Sequence, residues 1–114
     1  MKLIYVSGAY TAKTKKLIQK NIKLSEQVSK NLYLLGWACI TPHKNSAGFE
    51  NFTEFTYYDW IACDFEMLKR CDAIFMLDNW ESSVGARAEY IFAMWAKIPI
   101  FFEKNGYPVP ENLT

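Results

Sequence analysis

Between two short apolar runs, Lys2-Leu3-Ile4-Tyr5-Val6 and Trp37-Ala38-Cys39-Ile40, the chain carries a stretch with the period of an amphipathic helix. Stepping about 100° per residue from Lys16 to Leu35 gathers Leu17, Ile18, Ile22, Leu24, Val28, Leu32 and Leu35 on an arc of roughly 160°. Lys16, Gln19, Lys20, Lys23, Glu26 and Lys30 take the other side, and Gly36 is the natural stop. Strand, long helix and strand in succession form a crossover unit, which returns the second strand parallel to the first. The alternation then repeats. A helix from about Thr56 to Arg70 leads to the strand Ala73–Leu77, and a helix from about Val84 to Ala96 leads to the strand Ile98–Phe102. This pattern predicts an α/β chain, a single Rossmann-like (flavodoxin-like) domain over residues 1–114 with a parallel sheet of strand order 2-1-3-4. Residues 41–55, rich in Asn, Ser, Gly and Phe, are expected to form the longest loop, and Tyr107-Pro108-Val109-Pro110 an irregular surface tail.

With 114 residues, 51% of them hydrophobic, the chain is long enough for a core without disulfide or metal staples. Its rings, 17% of the residues, are numerous against 22% charged, which places some of them at a subunit contact or a ligand pocket. The expected assembly is a homodimer or higher homo-oligomer through apolar helices. A net charge of +1 excludes a strong pull on a nucleic acid polymer or a membrane. Cys39, Cys63 and Cys71 lack metal-ligand spacing and read as free, buried thiols of a reducing compartment. No signal peptide, lipidation box or long apolar run is present, so a soluble, cytoplasmic protein is expected.

Chemistry concentrates around the last helix. Ser82-Ser83-Val84-Gly85-Ala86-Arg87-Ala88-Glu89 opens an element that from Tyr90 to Ala96 is wholly apolar or aromatic. An acid near a helix start complements the dipole on a solvated face. Here Ala86, Ala88, Ile91, Phe92, Ala93 and Met94 leave little such face, which marks Glu89 as a site residue. On the middle helix Asp64 falls between Trp60 and Leu68, on the face defined by Tyr57, Ile61, Phe65, Met67 and Cys71; Asp59, Glu66 and Arg70 point away. Asp64 is either a structural ion pair or cap, or a pocket carboxylate that binds hydroxyls or tunes a second acid. Two carboxylates from separate elements suit glycosidic-bond chemistry, one attacking or stabilising C1′ and the other handling protons. Ser82, Ser83 and Gly85 offer hydroxyl and amide donors for a phosphate, and Ser7-Gly8-Ala9-Tyr10 supplies a second turn at the switch point of a doubly wound sheet. Either serine is also an ordinary helix cap. His43, the only histidine, reads as a surface residue, and Lys13, Lys15 and Lys16 as a solvated helix entrance.

Three blocks, Ile4-Tyr5-Val6-Ser7-Gly8-Ala9-Tyr10, Asp64-Phe65-Glu66-Met67-Leu68-Lys69-Arg70-Cys71-Asp72-Ala73 and Ser83-Val84-Gly85-Ala86-Arg87-Ala88-Glu89, stand in the order found in the nucleoside 2-deoxyribosyltransferase superfamily. The chain resembles its small phage- or bacterium-encoded branch and the related 2′-deoxynucleoside 5′-phosphate N-hydrolases. The resemblance implies that Glu89 is a nucleophile on the anomeric carbon, that Tyr5 orients it and that Asp64 engages the sugar or base. Ser83 stands where those hydrolases have a phosphate-binding serine, which implies a 5′-monophosphate, with Arg87 as an extra anion partner. Gly8-Ala9-Tyr10 departs from their first turn in lacking its serine and arginine.

The reading taken forward is hydrolysis of the N-glycosidic bond of a 2′-deoxynucleoside 5′-monophosphate by Glu89, with Tyr5 and Asp64 assisting. Ser7, Gly8, Ala9, Ser83, Gly85 and Arg87 hold the substrate, and Tyr10 and Trp60 stack on the base. No metal or organic cofactor is called for. The alternatives are base exchange by a deoxyribosyltransferase and a non-catalytic nucleotide-binding or sensing module.

Overall fold

A computed structural model describes residues 1–9, 12–42, 54 and 56–111, without the Tyr57 side chain. Tyr10, His43 and nearly all of the 41–55 loop lie outside the described residues. The elements are β1 (Leu3–Ser7), α1 (Lys15–Leu34), β2 (Ala38–Ile40), α2 (Tyr57–Leu68), β3 (Ala73–Met76), a 3₁₀ turn (Trp80–Ser82), α3 (Val84–Trp95), β4 (Ile100–Lys104) and β5 (Tyr107–Pro110). Strand order is β2-β1-β3-β4-β5. The first four strands are parallel, as the crossover pattern predicts, and β5 returns antiparallel to β4.

β5 corrects the expectation of an irregular tail. Asn105 and Gly106 both have positive φ, 55° and 84°, the geometry of a two-residue type I′ turn, which pairs Lys104 with Tyr107. Residues flanking such a turn exchange both backbone hydrogen bonds, so Tyr107 and Val109 donate toward β4. Pro108 and Pro110 therefore occupy positions whose amides would face outward. No ladder bond is lost, and the outer edge is closed to further strands.

β1 and β3 are central and buried on both faces, which explains their unbroken apolar runs. Alternate residues serve different layers. Ile4, Val6, Ala73, Phe75 and Leu77 pack with Val28 and Leu32 of α1, whereas Tyr5, Ile74, Met76 and Ile100 pack with Leu68 of α2 and Ala86 and Ala93 of α3. α2 and α3 meet through stacked Phe65 and Phe92 rings, centroids 4.8 Å apart.

Neither α1 nor α3 buries the whole of the face that its apolar residues suggest. In α1 the buried residues are Ile22, Ser25, Val28, Ser29 and Leu32, while Leu17, Leu24 and Leu35 are exposed. Both serines are satisfied inside: the Ser25 hydroxyl donates to the Ile22 carbonyl at 2.7 Å, and Ser29 pairs with Thr41 at 2.8 Å. In α3 only Ala86, Glu89 and Ala93 are buried, and Val84, Ile91, Met94 and Trp95 are exposed, Trp95 by 86%. The expectation that this helix has little solvated face is thus corrected: small residues let it approach the sheet, and the large ones are left outside. Cys63 is likewise exposed, Cys39 half-buried and Cys71 buried, all as free thiols. No helix among the described residues is long and apolar enough to cross a membrane.

Candidate active site

Glu89 sits on the inner face of α3, 5% exposed, over the carboxyl ends of the central strands. Ser83 starts that helix as N-cap, its hydroxyl accepting the Ala86 amide at 3.1 Å. From β1 the Tyr5 hydroxyl donates to Glu89 Oε2, and the Ser7 hydroxyl donates to Oε1 at 2.7 Å. Residues two apart on a strand share a face, so Tyr5 and Ser7 reach the same carboxylate. Ser7, expected in the substrate-holding turn, here has its hydroxyl committed to Glu89.

Burial pushes Glu89 from 4.5 up to about 7. The Tyr5 and Ser7 hydrogen bonds oppose that rise, and the Asp64 charge adds to it. Asp64, half-buried on α2, is itself raised by burial from 3.8 to about 6. Tyr5 is held well above its ordinary value by burial first, then by the charges of Glu89 and Asp64. The two acids come from different helices that pack on the same side of the sheet, and the Asp64 charge bears on both Glu89 and Tyr5. α2 is started by a capping box, in which the Thr56 hydroxyl accepts the Asp59 amide and the Asp59 carboxylate accepts the Thr56 amide.

The turn after β1 is packed against the connection after β3. A Cβ on Gly8 would lie 2.6 Å from Leu77 Cδ1, 2.7 Å from Leu77 Cβ and 2.9 Å from Asn79 Oδ1, so only glycine fits. The Ala9 amide donates to Asn79 Oδ1 at 3.0 Å, which commits this donor to the protein. Asn79 has no counterpart among the sequence expectations, because nothing in Leu77-Asp78-Asn79 reveals which loop its amide meets.

At the start of α3 the amides of Val84 and Gly85 have no acceptor among the described residues, and the capping Ser83 hydroxyl keeps its proton to donate. The exposed Arg87 donates from Nη1 to the Glu81 carbonyl at 2.9 Å. Trp60 lies half-buried on α2. Behind the site Trp80, Tyr90 and Phe102 form an aromatic cluster, and the Tyr90 hydroxyl donates to Glu111 at 2.6 Å. Among the described residues no group of three His, Cys, Asp or Glu side chains is arranged to hold a metal ion.

Residues 2–102 match the family described as a domain of unknown function, DUF4406. No curated protein matches the chain in sequence. Among solved structures, a 2-deoxyribosyltransferase from the psychrotolerant bacterium Bacillus psychrosaccharolyticus is similar with a TM-score of 0.61 and 22% identity, over 88% of this chain and 70% of that one. A conserved protein from Enterococcus faecalis V583 is similar with a TM-score of 0.66 and 21% identity, over 90% of this chain and 62% of its own length. The fold is therefore nucleoside 2-deoxyribosyltransferase-like, as the three sequence blocks imply.

Proposed function

Because the chain belongs to the DUF4406 family and has a 2-deoxyribosyltransferase-like fold, we propose that it cleaves the N-glycosidic bond of a nucleotide, a 2′-deoxynucleoside 5′-monophosphate, with Glu89 as nucleophile. One observation carries this reading: a buried carboxylate, gripped on both oxygens by Tyr5 and Ser7, beside a second raised carboxyl group on another helix. A glutamate oxygen forms a bond to C1′ while the C1′–N bond breaks, its electron pair leaving on the base nitrogen, which Asp64 protonates. Water then attacks C1′, gives its proton to Asp64 and frees Glu89. Tyr5 and Ser7 hold the carboxylate in one orientation and draw off part of its charge once it leaves C1′ again. The Ser83 hydroxyl and the Val84 and Gly85 amides, at the positive end of α3, support a place for the 5′-phosphate. Gly8, Arg87, Trp60 and Tyr10 complete the proposed substrate contacts.

The test is chromatographic detection of free base from a panel of nucleosides and 5′-monophosphates, with Glu89→Gln alongside. Equal release by both proteins overturns the reading. The likeness to a 2-deoxyribosyltransferase supports a second outcome, in which a free base resolves the same intermediate. Exchange of labelled base without net hydrolysis identifies it, and tight nucleotide binding without any base release identifies a sensing module.

The pH dependence follows from the two acids. Reaction requires Glu89 ionised and one proton left on the pair, for Asp64 to donate. With the two groups near 7 and 6, initial rates are expected to trace a narrow bell with its maximum between about 6 and about 7. They fall below it as the pair takes its second proton and above it as the last is lost.

The proposed homodimer uses the outer face of α3. Val84, Ile91, Met94 and Trp95 stand exposed, and Ile91 and Trp95 line an apolar groove of about 470 Å³ together with Phe65, Ala88, Phe92 and Ala96. A projecting ring next to a groove suits a two-fold contact in which each copy fills the other. Ile91→Asp is expected to yield monomers by light scattering with an unchanged melting temperature at low concentration, and an unaltered mass distribution would remove this interface.

A further inference from the structure

The geometry points to Asn79 as a positioning residue that holds Ser7 against the Glu89 carboxylate by latching the turn after β1 onto the connection between β3 and α3. This inference rests on the proposal that Glu89 is the reacting group, and it adds to the site a residue that does not touch the carboxylate.

Three contacts make the latch. The Leu77 amide donates to the Ser7 carbonyl at 2.7 Å, extending the β1–β3 ladder one step past the end of β3. Gly8 is then pressed so closely against Leu77 and Asn79 Oδ1 that no Cβ fits between them. Finally the Ala9 amide donates to Asn79 Oδ1 at 3.0 Å, closing the turn from the other side. Ser7 is thus clamped on its C-terminal side by the residue pair that Asn79 secures. The backbone of Asn79 is fixed in turn. Its carbonyl accepts the Ser82 hydroxyl at 2.8 Å and the Ser82 amide at 3.3 Å, immediately before Ser83 caps α3. One residue therefore ties the strand that supplies the hydroxyl donors to the start of the helix that supplies the carboxylate.

The latch matters because the Ser7 contact is short-range. A hydroxyl that drifts beyond hydrogen-bond distance stops stabilising the charged carboxylate, while burial continues to oppose the charge. The groups that bear on Glu89 are Ser7 and Tyr5 from β1 and Asp64 from α2. Tyr5 lies inside the paired part of β1 and is held by its register with Ile40 and Ile74. Ser7 is the last paired residue, so losing the Asn79 contact acts mainly through it.

The test is the titration of Glu89, followed by ¹³C NMR of side-chain-labelled glutamate in the full chain, with Glu89→Gln assigning the signal. Asn79→Ala is expected to move the midpoint upward by roughly half a unit to one unit, in the same sense as Ser7→Ala. In the Ser7→Ala background Asn79→Ala is expected to add nothing, since the group it positions is gone. Asn79→Ser keeps an acceptor at shorter reach and is the milder variant should Asn79→Ala fail to fold; it is expected to give a smaller shift of the same sign. A residue that only stabilised the fold would lower the melting temperature and leave the midpoint alone. An unchanged Glu89 midpoint in a folded variant, or an Asn79 effect equally large without the Ser7 hydroxyl, overturns the inference whatever the base-release assay gives. Shifts as expected in a protein that releases no base uphold the latch and remove the proposed reaction instead.

Discussion

Glu89→Gln is expected to abolish base release, by on the order of 10³-fold or more in kcat, and at the same time to make the protein more stable at pH 8. The first effect follows because an amide cannot form the bond to C1′. The second follows from the cost of the buried charge. A carboxyl group raised from 4.5 to about 7 on folding keeps its proton in the native state over a range where the unfolded chain has lost it. Its contribution to stability is therefore fully present below about 4.5 and is lost as the pH rises through about 7. A shift of that size corresponds to roughly 3 kcal/mol against the native state at pH 8. A neutral glutamine accepts from the Tyr5 hydroxyl and donates to Ser7, so it removes the charge without orphaning either partner. Calorimetry is expected to show wild type and variant melting close together at pH 4.5 and separating on the order of 10 °C by pH 8. Coincident melting curves at both pH values would mean that Glu89 is not held as a buried, raised acid. Loss of activity together with a gain of stability is hard to produce by misfolding, which makes the paired result diagnostic.

Gly8→Ala is expected to be strongly destabilising. The added carbon would meet Leu77 Cδ1 at 2.6 Å and Leu77 Cβ at 2.7 Å. A rotamer change relieves the first contact but not the second, because Cβ moves only with the backbone of a fully buried residue next to β3. Overpacking of this kind costs about 1–3 kcal/mol or more, with a fall in melting temperature of about 10 °C. Gly85→Ala is the matched control. Its Cβ would lie 3.7 Å from Ile61 Cδ1 and 3.9 Å from the Ser83 hydroxyl, ordinary contact distances. In the first turn of a helix alanine is the better residue, so this variant is expected to melt at or slightly above the wild type. Equal destabilisation by both substitutions would remove the close packing of the two turns.

Glu89 stood out in the sequence because an acid on an apolar helix demands an explanation, and its burial supplies one. The large apolar residues of that helix are nevertheless not the ones it buries. Ile91, Met94 and Trp95 are exposed, and the buried surface is formed by Ala86 and Ala93 flanking the acid. Hydrophobicity identifies which residues favour burial, whereas the rotation of a helix on a sheet is set by which side chains are small enough to let it approach. α1 makes the same point with Ser25 and Ser29 inside and Leu17 and Leu24 outside. β5 is legible in Asn105-Gly106, a strong type I′ hairpin signal, because the two prolines that argue against a strand are harmless on an outward-facing edge. Alternation along β1 makes it legible that Ser7 shares the face of Tyr5, but not which acceptor it reaches. Asn79 is not legible.

The sequence by itself determined the parallel α/β layout, the central strands and the two acids, because periodicity and crossover length act within a few turns of chain and leave few alternatives. Tertiary structure alone decided that the hydroxyls of Tyr5 and Ser7 close on a carboxylate 84 and 82 residues away and that Asn79 locks the intervening turn. Those contacts depend on strand register, on the rotation of α3 and on two loops meeting at the sheet's end. Each is fixed by the packing of the whole domain, so no local stretch of residues encodes it.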